Sequence, residues 1–123
     1  KTNNEANAKE AYAKLQKIAK GELAAEALYY DAYFKSKEGK FDASNKAVEK
    51  YSSTYSGYKY FGAKSLLVMA KNYYGLKDSF QATEILQSII DNFAEFTDVV
   101  TDCQTELETI KAEEAKTNSS VTE

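Results

Sequence analysis

The side chains that could do chemistry in this sequence are carboxylates, lysines, tyrosines and one cysteine. Histidine and arginine are both absent, which removes the commonest general base and metal ligand as well as the bidentate clamp for phosphate. The neighbouring carboxylates Glu113 and Glu114 fall on a helix that is predicted to be solvated, with no pocket around them. The sequence therefore predicts no catalytic, metal or cofactor site, and we expect that the protein is not an enzyme.

Cys103 is the single cysteine and cannot form an internal disulfide. Its spacing from Val99, Leu107 and Ile110 places it on the apolar face of a helix. Free cysteine behaves as a small hydrophobic residue, so we expect Cys103 to be buried and structural.

The charge and hydropathy of the chain exclude two classes of partner. The sixteen cationic residues are all lysines, and the formal net charge is -3 with a pI near 5.1. Nucleic-acid binding depends on a basic surface, so no nucleic-acid partner is expected. No run approaches the roughly 18–20 apolar residues that span a bilayer, and direct membrane insertion is not expected either.

Tyrosines and lysines are the residues best suited to binding another protein. Tyrosine combines a large apolar ring with a polar hydroxyl and is enriched at interfaces, while the lysines of the predicted fourth helix suit an acidic peptide. The predicted partner-binding residues are Tyr29, Tyr33, Lys64, Lys71 and Tyr74. The alternatives are packing of the tyrosines between helices and a solvated lysine face, which Glu22, Glu26 and Asp31 could neutralise across the stack.

A 39-residue repeat indicates which elements position these side chains. Phe41 and Phe80 mark the same point of two copies, and Ala24 and Ala63 match upstream of them without a gap. A partial third copy lies closer to the N-terminus. Repetition at a fixed period of this length is typical of stacked helical hairpins, most of which bind other proteins.

The spacing of apolar residues predicts about six helices. They span about residues 4–20, 23–38, 40–54, 60–76, 79–92 and 97–115. Gly21 and Gly39 are expected to end the first two helices, and Asp78 is expected to cap the fifth. Residues 116–123 lack apolar content and are predicted to form a disordered tail.

Two of the predicted helices have clear apolar faces. That of the first helix consists of Ala8, Ala11, Tyr12, Leu15 and Ile18, and that of the fifth of Phe80, Thr83, Leu86, Ile90 and Phe93. Phe80 is predicted to lie in the core, so its replacement by alanine is expected to cost about 3–5 kcal/mol.

The residues of the repeat resemble those of the tetratricopeptide repeat (TPR) family. The segments AEALYYDAYFKSKEGKFDAS and AKSLLVMAKNYYGLKDSFQAT each resemble the family's first helix, turn and start of the second helix. The junction YSSTYSGYKYFGAKSL is similar to the long-period repeats of periplasmic outer-membrane assembly lipoproteins and Tol–Pal coordinator proteins. The family's usual period is about 34 residues. Asp31 falls where the 39-residue alignment asks for a small residue, and another register places Ala32 there.

The resemblance implies an all-α, right-handed solenoid of antiparallel helical hairpins over residues 4–115. Its parts are a half repeat (4–20), two repeats (23–56 and 60–93) and a C-terminal capping helix (97–115). The implied function is a scaffold, the C-terminal part of a larger array, that presents a concave surface to a protein or peptide.

Two alternatives to that function stay open. The chain is either a purely structural end of an array whose upstream repeats bind the partner, or a docking module for a separate catalytic domain. The resemblance implies a periplasmic or outer-membrane-associated location, and a lone buried cysteine fits the cytoplasm equally well.

Overall fold

The computed structural model describes the backbone of residues 2–122 and the side chains of residues 7–10 and 20–117. Within residues 2–122 the chain forms helices and turns without a β-strand, so the all-α prediction is confirmed. The helices are α1 (Thr2–Lys37), α2 (Phe41–Thr54), α3 (Lys59–Gly75), α4 (Ser79–Asn92) and α5 (Thr97–Thr122). Each helix packs against the next one, and α3 also contacts both α1 and α5.

The first two predicted helices form one continuous helix, so the described residues contain five helices rather than about six. The prediction that Gly21 ends a helix was wrong. A glycine in a helix interior costs only about 1 kcal/mol, and the flanking Lys20, Glu22 and Leu23 are helix-forming residues. Gly21 has a packing role instead, because a Cβ at this position would overlap the Tyr58 hydroxyl.

Of the predicted apolar face of residues 4–20, the structure describes the side chain of Ala8 alone, and Ala8 is exposed. The side chains of Ala11, Tyr12, Leu15 and Ile18 lie outside the described residues, so that face stays a prediction.

The helices recur with a period one residue shorter than the predicted one. The second helix of each hairpin begins at Phe41 and at Ser79, and the helices that follow begin at Lys59 and at Thr97. Each hairpin turn contains one residue with a positive φ, Gly39 at 79° and Lys77 at 68°, and these two residues match in the same alignment. We call this alignment the Phe41/Ser79 register, in contrast to the predicted Phe41/Phe80 register.

Burial on the second helices follows the Phe41/Ser79 register. The buried residues Ser44, Val48 and Tyr51 of α2 correspond to Ala82, Leu86 and Ile89 of α4. Phe80 therefore corresponds to Asp42 rather than Phe41, and it is 71% exposed. The prediction that Phe80 lies in the core was wrong, because a shift of one residue turns a side chain by about 100° around the helix axis.

Small buried residues recur at equivalent positions of the first helices in this register. Ala25 and Ala32 of α1 correspond to Ala63 and Ala70 of α3, and all four are at most 1% exposed. The register that places Ala32, and not Asp31, at the small position is therefore the one that the fold uses. The Ser44 hydroxyl of α2 bonds the Ala32 carbonyl, so Ala32 lies where α1 meets α2, and its small side chain lets the two helix backbones approach closely.

The predicted caps agree with the structure. The Asp78 carboxylate accepts a hydrogen bond from the Gln81 backbone N–H at 3.1 Å, which satisfies an orphan donor at the start of α4. Gly39 adopts a left-handed conformation just after α1, as a C-terminal glycine should.

The last helix begins at Thr97 and continues to Thr122, beyond the predicted end at residue 115. Residues 116–122 of the predicted disordered tail are thus helical. The run of lysine, glutamate and alanine over 111–116 has a high helix propensity, which allows the helix to extend without packing. Cys103 is fully buried against α4 and α3, as expected.

A buried polar network joins α1, α2 and α3. The Ser44 hydroxyl donates to the Ala32 carbonyl at 2.7 Å. The Asn72 amide donates to Ser44 Oγ and to Asn45 Oδ1, each at 2.8 Å. Asn72 Oδ1 is buried without a hydrogen-bond partner among the described residues. The three bonds join groups buried on three helices, and buried polar groups pair only in specific arrangements, so these bonds hold α3 in register beside α1 and α2. This network was not predicted from the sequence.

Candidate binding groove

A cavity of about 470 Å³ lies across α1, α3 and α5. It is lined by Tyr29, Tyr33, Ser36 and Lys37 of α1, Phe41 of α2, Lys64, Leu67, Val68 and Lys71 of α3, and Asp102 of α5. We call this cavity the α1/α3/α5 groove. Four of the five predicted partner-binding residues meet in it, and their role in binding stays a prediction.

Helical spacing explains why these side chains meet. Tyr29 and Tyr33 are four residues apart on α1, and Lys64 and Lys71 are seven residues apart on α3. Both spacings place the side chains on one face of a helix. Because α1 and α3 pack side by side, the two faces line one groove.

Tyr74 lies outside the groove. It lines a second cavity with Lys77, Ser79 and the paired carboxylates Glu113 and Glu114. In the Phe41/Ser79 register Tyr74 corresponds to Ser36, a groove residue, and so occupies the equivalent place between α3 and α5. The structure therefore separates Tyr74 from the other four predicted site residues.

Two of the three lysines of the groove lie over aromatic rings. Lys64 Nζ is 5.2 Å from the ring centre of Tyr29, 5.4 Å from that of Tyr60 and 5.7 Å from that of Phe61. Lys37 Nζ lies 5.3 Å from the ring centre of Tyr33. A ring quadrupole attracts an ammonium group without neutralising it, so these contacts hold the charges in place while leaving them able to meet an anion.

No carboxylate among residues 20–117 forms an ion pair with Lys37, Lys64 or Lys71. Asp102 is the one acidic residue in the described lining of the groove. Three ammonium groups and one carboxylate give that lining a formal charge of +2, whereas the chain as a whole carries -3. The groove is thus a basic patch on an acidic protein.

The carboxylates that could have neutralised the groove lysines lie elsewhere. Asp31 bonds Lys35 on its own helix at 2.9 Å. Glu22 and Glu26 line a separate cavity beside Tyr58.

The Tyr29 phenol forms the floor of the groove. It is 6% exposed, and its ring centre lies 5.4 Å from that of Phe61. Burial, assisted by the neighbouring Tyr30 and Tyr33, raises the pKa of Tyr29 to about 12. The hydroxyl therefore stays protonated at neutral pH and forms no hydrogen bond with another described residue, which leaves it able to donate to a ligand.

A short hydrogen bond positions the α5 wall. The Tyr60 hydroxyl donates to Asp98 Oδ2 at 2.6 Å, joining α3 to α5. This bond lowers the pKa of the Asp98 carboxyl and raises the pKa of Tyr60. The contact lies one helical turn from Asp102 and fixes the part of α5 that faces the groove.

Six residues of the groove lining were not identified from the sequence, namely Ser36, Lys37, Phe41, Leu67, Val68 and Asp102. Lys37 had a detectable signal, because it lies four residues after Tyr33 on the same helix. Phe41 and Asp102 had none, since they come from other helices and reach the groove through tertiary packing. Phe41 also packs against the end of α3, where a Cβ on Gly75 would come within 2.6 Å of its ring.

No family model, no curated protein and no solved structure matches this chain. The resemblance to tetratricopeptide repeats therefore stays a prediction. Among the side chains that the structure describes, no three histidine, cysteine or acidic residues come together as a metal site would require. None of the described helices has a stretch long and apolar enough to span a bilayer.

Proposed function

We propose that this chain is a protein-interaction module that binds an acidic peptide segment in the α1/α3/α5 groove. The observation that carries this proposal is a set of three lysines, Lys37, Lys64 and Lys71, in a chain of net charge -3. None of them has a carboxylate partner among the described residues, and two of them, Lys37 and Lys64, are held over tyrosine rings. A preorganised set of charges lowers the cost of ordering a bound ligand.

The fold that we propose is a right-handed solenoid of helical hairpins like that of tetratricopeptide repeats. The regular recurrence of helices and turns in the Phe41/Ser79 register supports it. So does the contact of the first helices, α1 with α3 and α3 with α5, because stacked first helices form one continuous surface. A role within a larger array, and a periplasmic or outer-membrane-associated location, remain proposals that rest on the resemblance.

The spacing of the lysines indicates which peptide fits. Lys64 and Lys71 are seven residues apart, which is about 10.5 Å along a helix axis. In a polyproline II segment, side chains at i and i+3 lie on the same side about 9.3 Å apart. We therefore propose a ligand with acidic residues at i and i+3, with apolar groups that contact the rings of Tyr29 and Tyr33.

A charge-matched pair of variants tests this function. The probe is a fluorescein-labelled, proline-containing peptide with glutamates at i and i+3, and its affinity is measured by fluorescence anisotropy. The variant Lys64→Gln/Lys71→Gln is compared with Lys46→Gln/Lys50→Gln, which removes the same charge from exposed positions of α2. We expect the first variant to weaken binding at least about tenfold and the second to change it by less than about twofold.

Two results would contradict the proposal. Absence of saturable binding by the wild type would exclude this ligand class. An equal loss in both double variants would show that the peptide responds to the overall charge rather than to the groove.

The polar outer face of α5 favours a second function, that of a structural end for a helical array. Residues 111–117 are all exposed and most are charged or polar, as the terminal element of a stack requires. In this case, partner binding by the full protein would survive the Lys64→Gln/Lys71→Gln substitution.

A further inference from the structure

An apolar stripe on α1 lies open to solvent beside the helix face that lines the groove. It consists of Leu23, Ala27, Tyr30 and Phe34, at steps of four, three and four residues. Leu23 is 65% exposed, Tyr30 40% and Phe34 58%. Such spacing places all four on one helix face, and we call it the α1 stripe.

The equivalent positions on α3 are covered. In the Phe41/Ser79 register, Phe61, Ser65, Val68 and Asn72 correspond to the α1 stripe, and the last three are at most 5% exposed. They face α2: Val68 packs in one cluster with Val48 and Tyr51, and Asn72 bonds Ser44 and Asn45.

The same face of the next first helix is also covered. On α5, three of the four corresponding residues, Val99, Cys103 and Ile110, are at most 1% exposed. They form one core cluster with Ala82, Leu86 and Ile89 of α4. Twice in this chain, therefore, a second helix covers the face that α1 leaves open.

We propose that the α1 stripe is a docking site for an amphipathic helix of a partner protein, with an apolar seam like that of α4. That seam consists of a small residue, an aliphatic residue four positions later and another aliphatic residue three positions after that, as in Ala82, Leu86 and Ile89. The packing of α5 on α4 shows the interface that such a helix would form.

The chemistry of the stripe distinguishes an α4-like helix from an α2-like one. The α2 seam contains Ser44 and Asn45, which accept hydrogen bonds from Asn72 of α3. Phe34 occupies the position of Asn72 on α1 and has no donor to offer. A polar seam docked on the α1 stripe would bury unsatisfied groups, which is costly, whereas an apolar seam would not.

A helix-stabilised peptide is the probe for this site. The α4 sequence, residues 79–92, is synthesised with a hydrocarbon staple on its solvent side and a fluorescein label, and the α2 sequence, residues 41–54, serves as the comparison. Each is titrated against the whole chain by fluorescence anisotropy, and the bound face is mapped by two-dimensional NMR of the labelled protein.

Phe34→Asp and Phe80→Asp form a matched pair of protein variants. Both phenylalanines are exposed, at 58% and 71%, so neither substitution should prevent folding, which circular dichroism checks. We expect the α4 peptide to shift the resonances of the α1 stripe and to bind Phe34→Asp at least about tenfold more weakly. Phe80→Asp should bind it like the wild type, and the α2 peptide should bind at least about tenfold more weakly than the α4 peptide.

Several results would overturn the proposal. One is the absence of binding by the α4 peptide. Another is a set of shifts confined to α3 and α5, which would mean that the peptide displaces the native α4. Equal binding of the two peptides would refute the inference that the α1 stripe prefers an apolar seam to a polar one. Sedimentation that shows a dimer of the free protein, lost in Phe34→Asp, would place a second copy on the stripe instead of a partner helix.

Discussion

Phe80 and Leu86 lie on the same helix, and replacing each by alanine distinguishes the Phe41/Ser79 register from the Phe41/Phe80 register. Leu86 is 1% exposed, and the loss of a fully buried leucine side chain costs about 2–5 kcal/mol. We therefore expect Leu86→Ala to lower the free energy of unfolding by about 3 kcal/mol.

Phe80 is 71% exposed, so less than a third of its surface leaves water on folding. Full burial of a phenylalanine is worth about 1.5–3 kcal/mol, and the buried part therefore contributes about 0.5–1 kcal/mol. Alanine has the higher helix propensity, by about 0.5 kcal/mol, and offsets much of this loss. We expect Phe80→Ala to change the free energy of unfolding by less than about 0.5 kcal/mol.

Urea unfolding followed by circular dichroism measures both changes, with linear extrapolation to zero denaturant. The slopes must be compared together with the midpoints, because stacked repeats do not always unfold in one step. A loss of about 2 kcal/mol or more in Phe80→Ala would show that Phe80 is buried and that the Phe41/Phe80 register is correct. A loss below about 1 kcal/mol in Leu86→Ala would place the core of α4 elsewhere.

Three further predictions concern the turns, the polar network and the buried tyrosines. Lys77 has a positive φ where the other hairpin has Gly39, a conformation that glycine adopts without strain. Lys77→Gly should therefore stabilise the protein by about 0.5–1 kcal/mol, and Gly39→Ala should destabilise it by about 1–2 kcal/mol. Thermal unfolding measures both changes, and two substitutions that shift the stability equally would contradict this turn geometry. Asn72→Ala leaves Asn45 without its hydrogen-bond donor and should lower the free energy of unfolding in urea by about 2–3 kcal/mol. Asn92→Ala, at an exposed position, serves as the control. A loss of stability no larger than that of the control would refute the structural role of the network. Burial raises the pKa values of Tyr29 and Tyr51 to about 12. The folded state therefore keeps two phenol protons that the unfolded state releases above about pH 10. Because of this difference, the free energy of unfolding should fall as the pH rises from about 10 to about 12. Ultraviolet titration should show these two phenols ionising late, and a single transition of all ten tyrosines near pH 10 would contradict their burial.

The helix ends could be predicted where one residue type satisfies a local need. Gly39 adopts the left-handed conformation that ends a helix, and Asp78 supplies the carboxylate that begins one. Gly21 misled the prediction because glycine serves two purposes. Here it makes room for Tyr58 inside a continuous helix, which depends on a residue far along the chain and leaves no local pattern.

The predicted alignment of the two repeats was shifted by one residue because α4 carries apolar residues on both sides of its buried face. Ile85, Leu86, Ile89 and Ile90 form a broad band, and such a band tolerates a shift of one position without losing its pattern. The small residues were the better guide. Ala32 is buried at a close helix crossing, where a larger side chain would not fit.

The candidate site could be predicted in part. Tyr29, Tyr33, Lys64 and Lys71 were identified because they lie on first helices at helical spacing, and the packing of α1 on α3 brings them together. The acidic residue of the groove, Asp102, could not be predicted in the same way. It comes from α5, and its place in the groove depends on how that helix packs on α3 and α4.

The most direct test of the central claim is to map the binding site of the acidic peptide by two-dimensional NMR on the whole chain. If the α1/α3/α5 groove binds the peptide, the largest shifts at saturation will fall on Tyr29, Tyr33, Lys64 and Lys71, and they will be absent with a lysine-containing peptide of equal length. Shifts concentrated on the outer faces of α2 and α4, or no shifts at all, would contradict the assignment of this groove as the binding site.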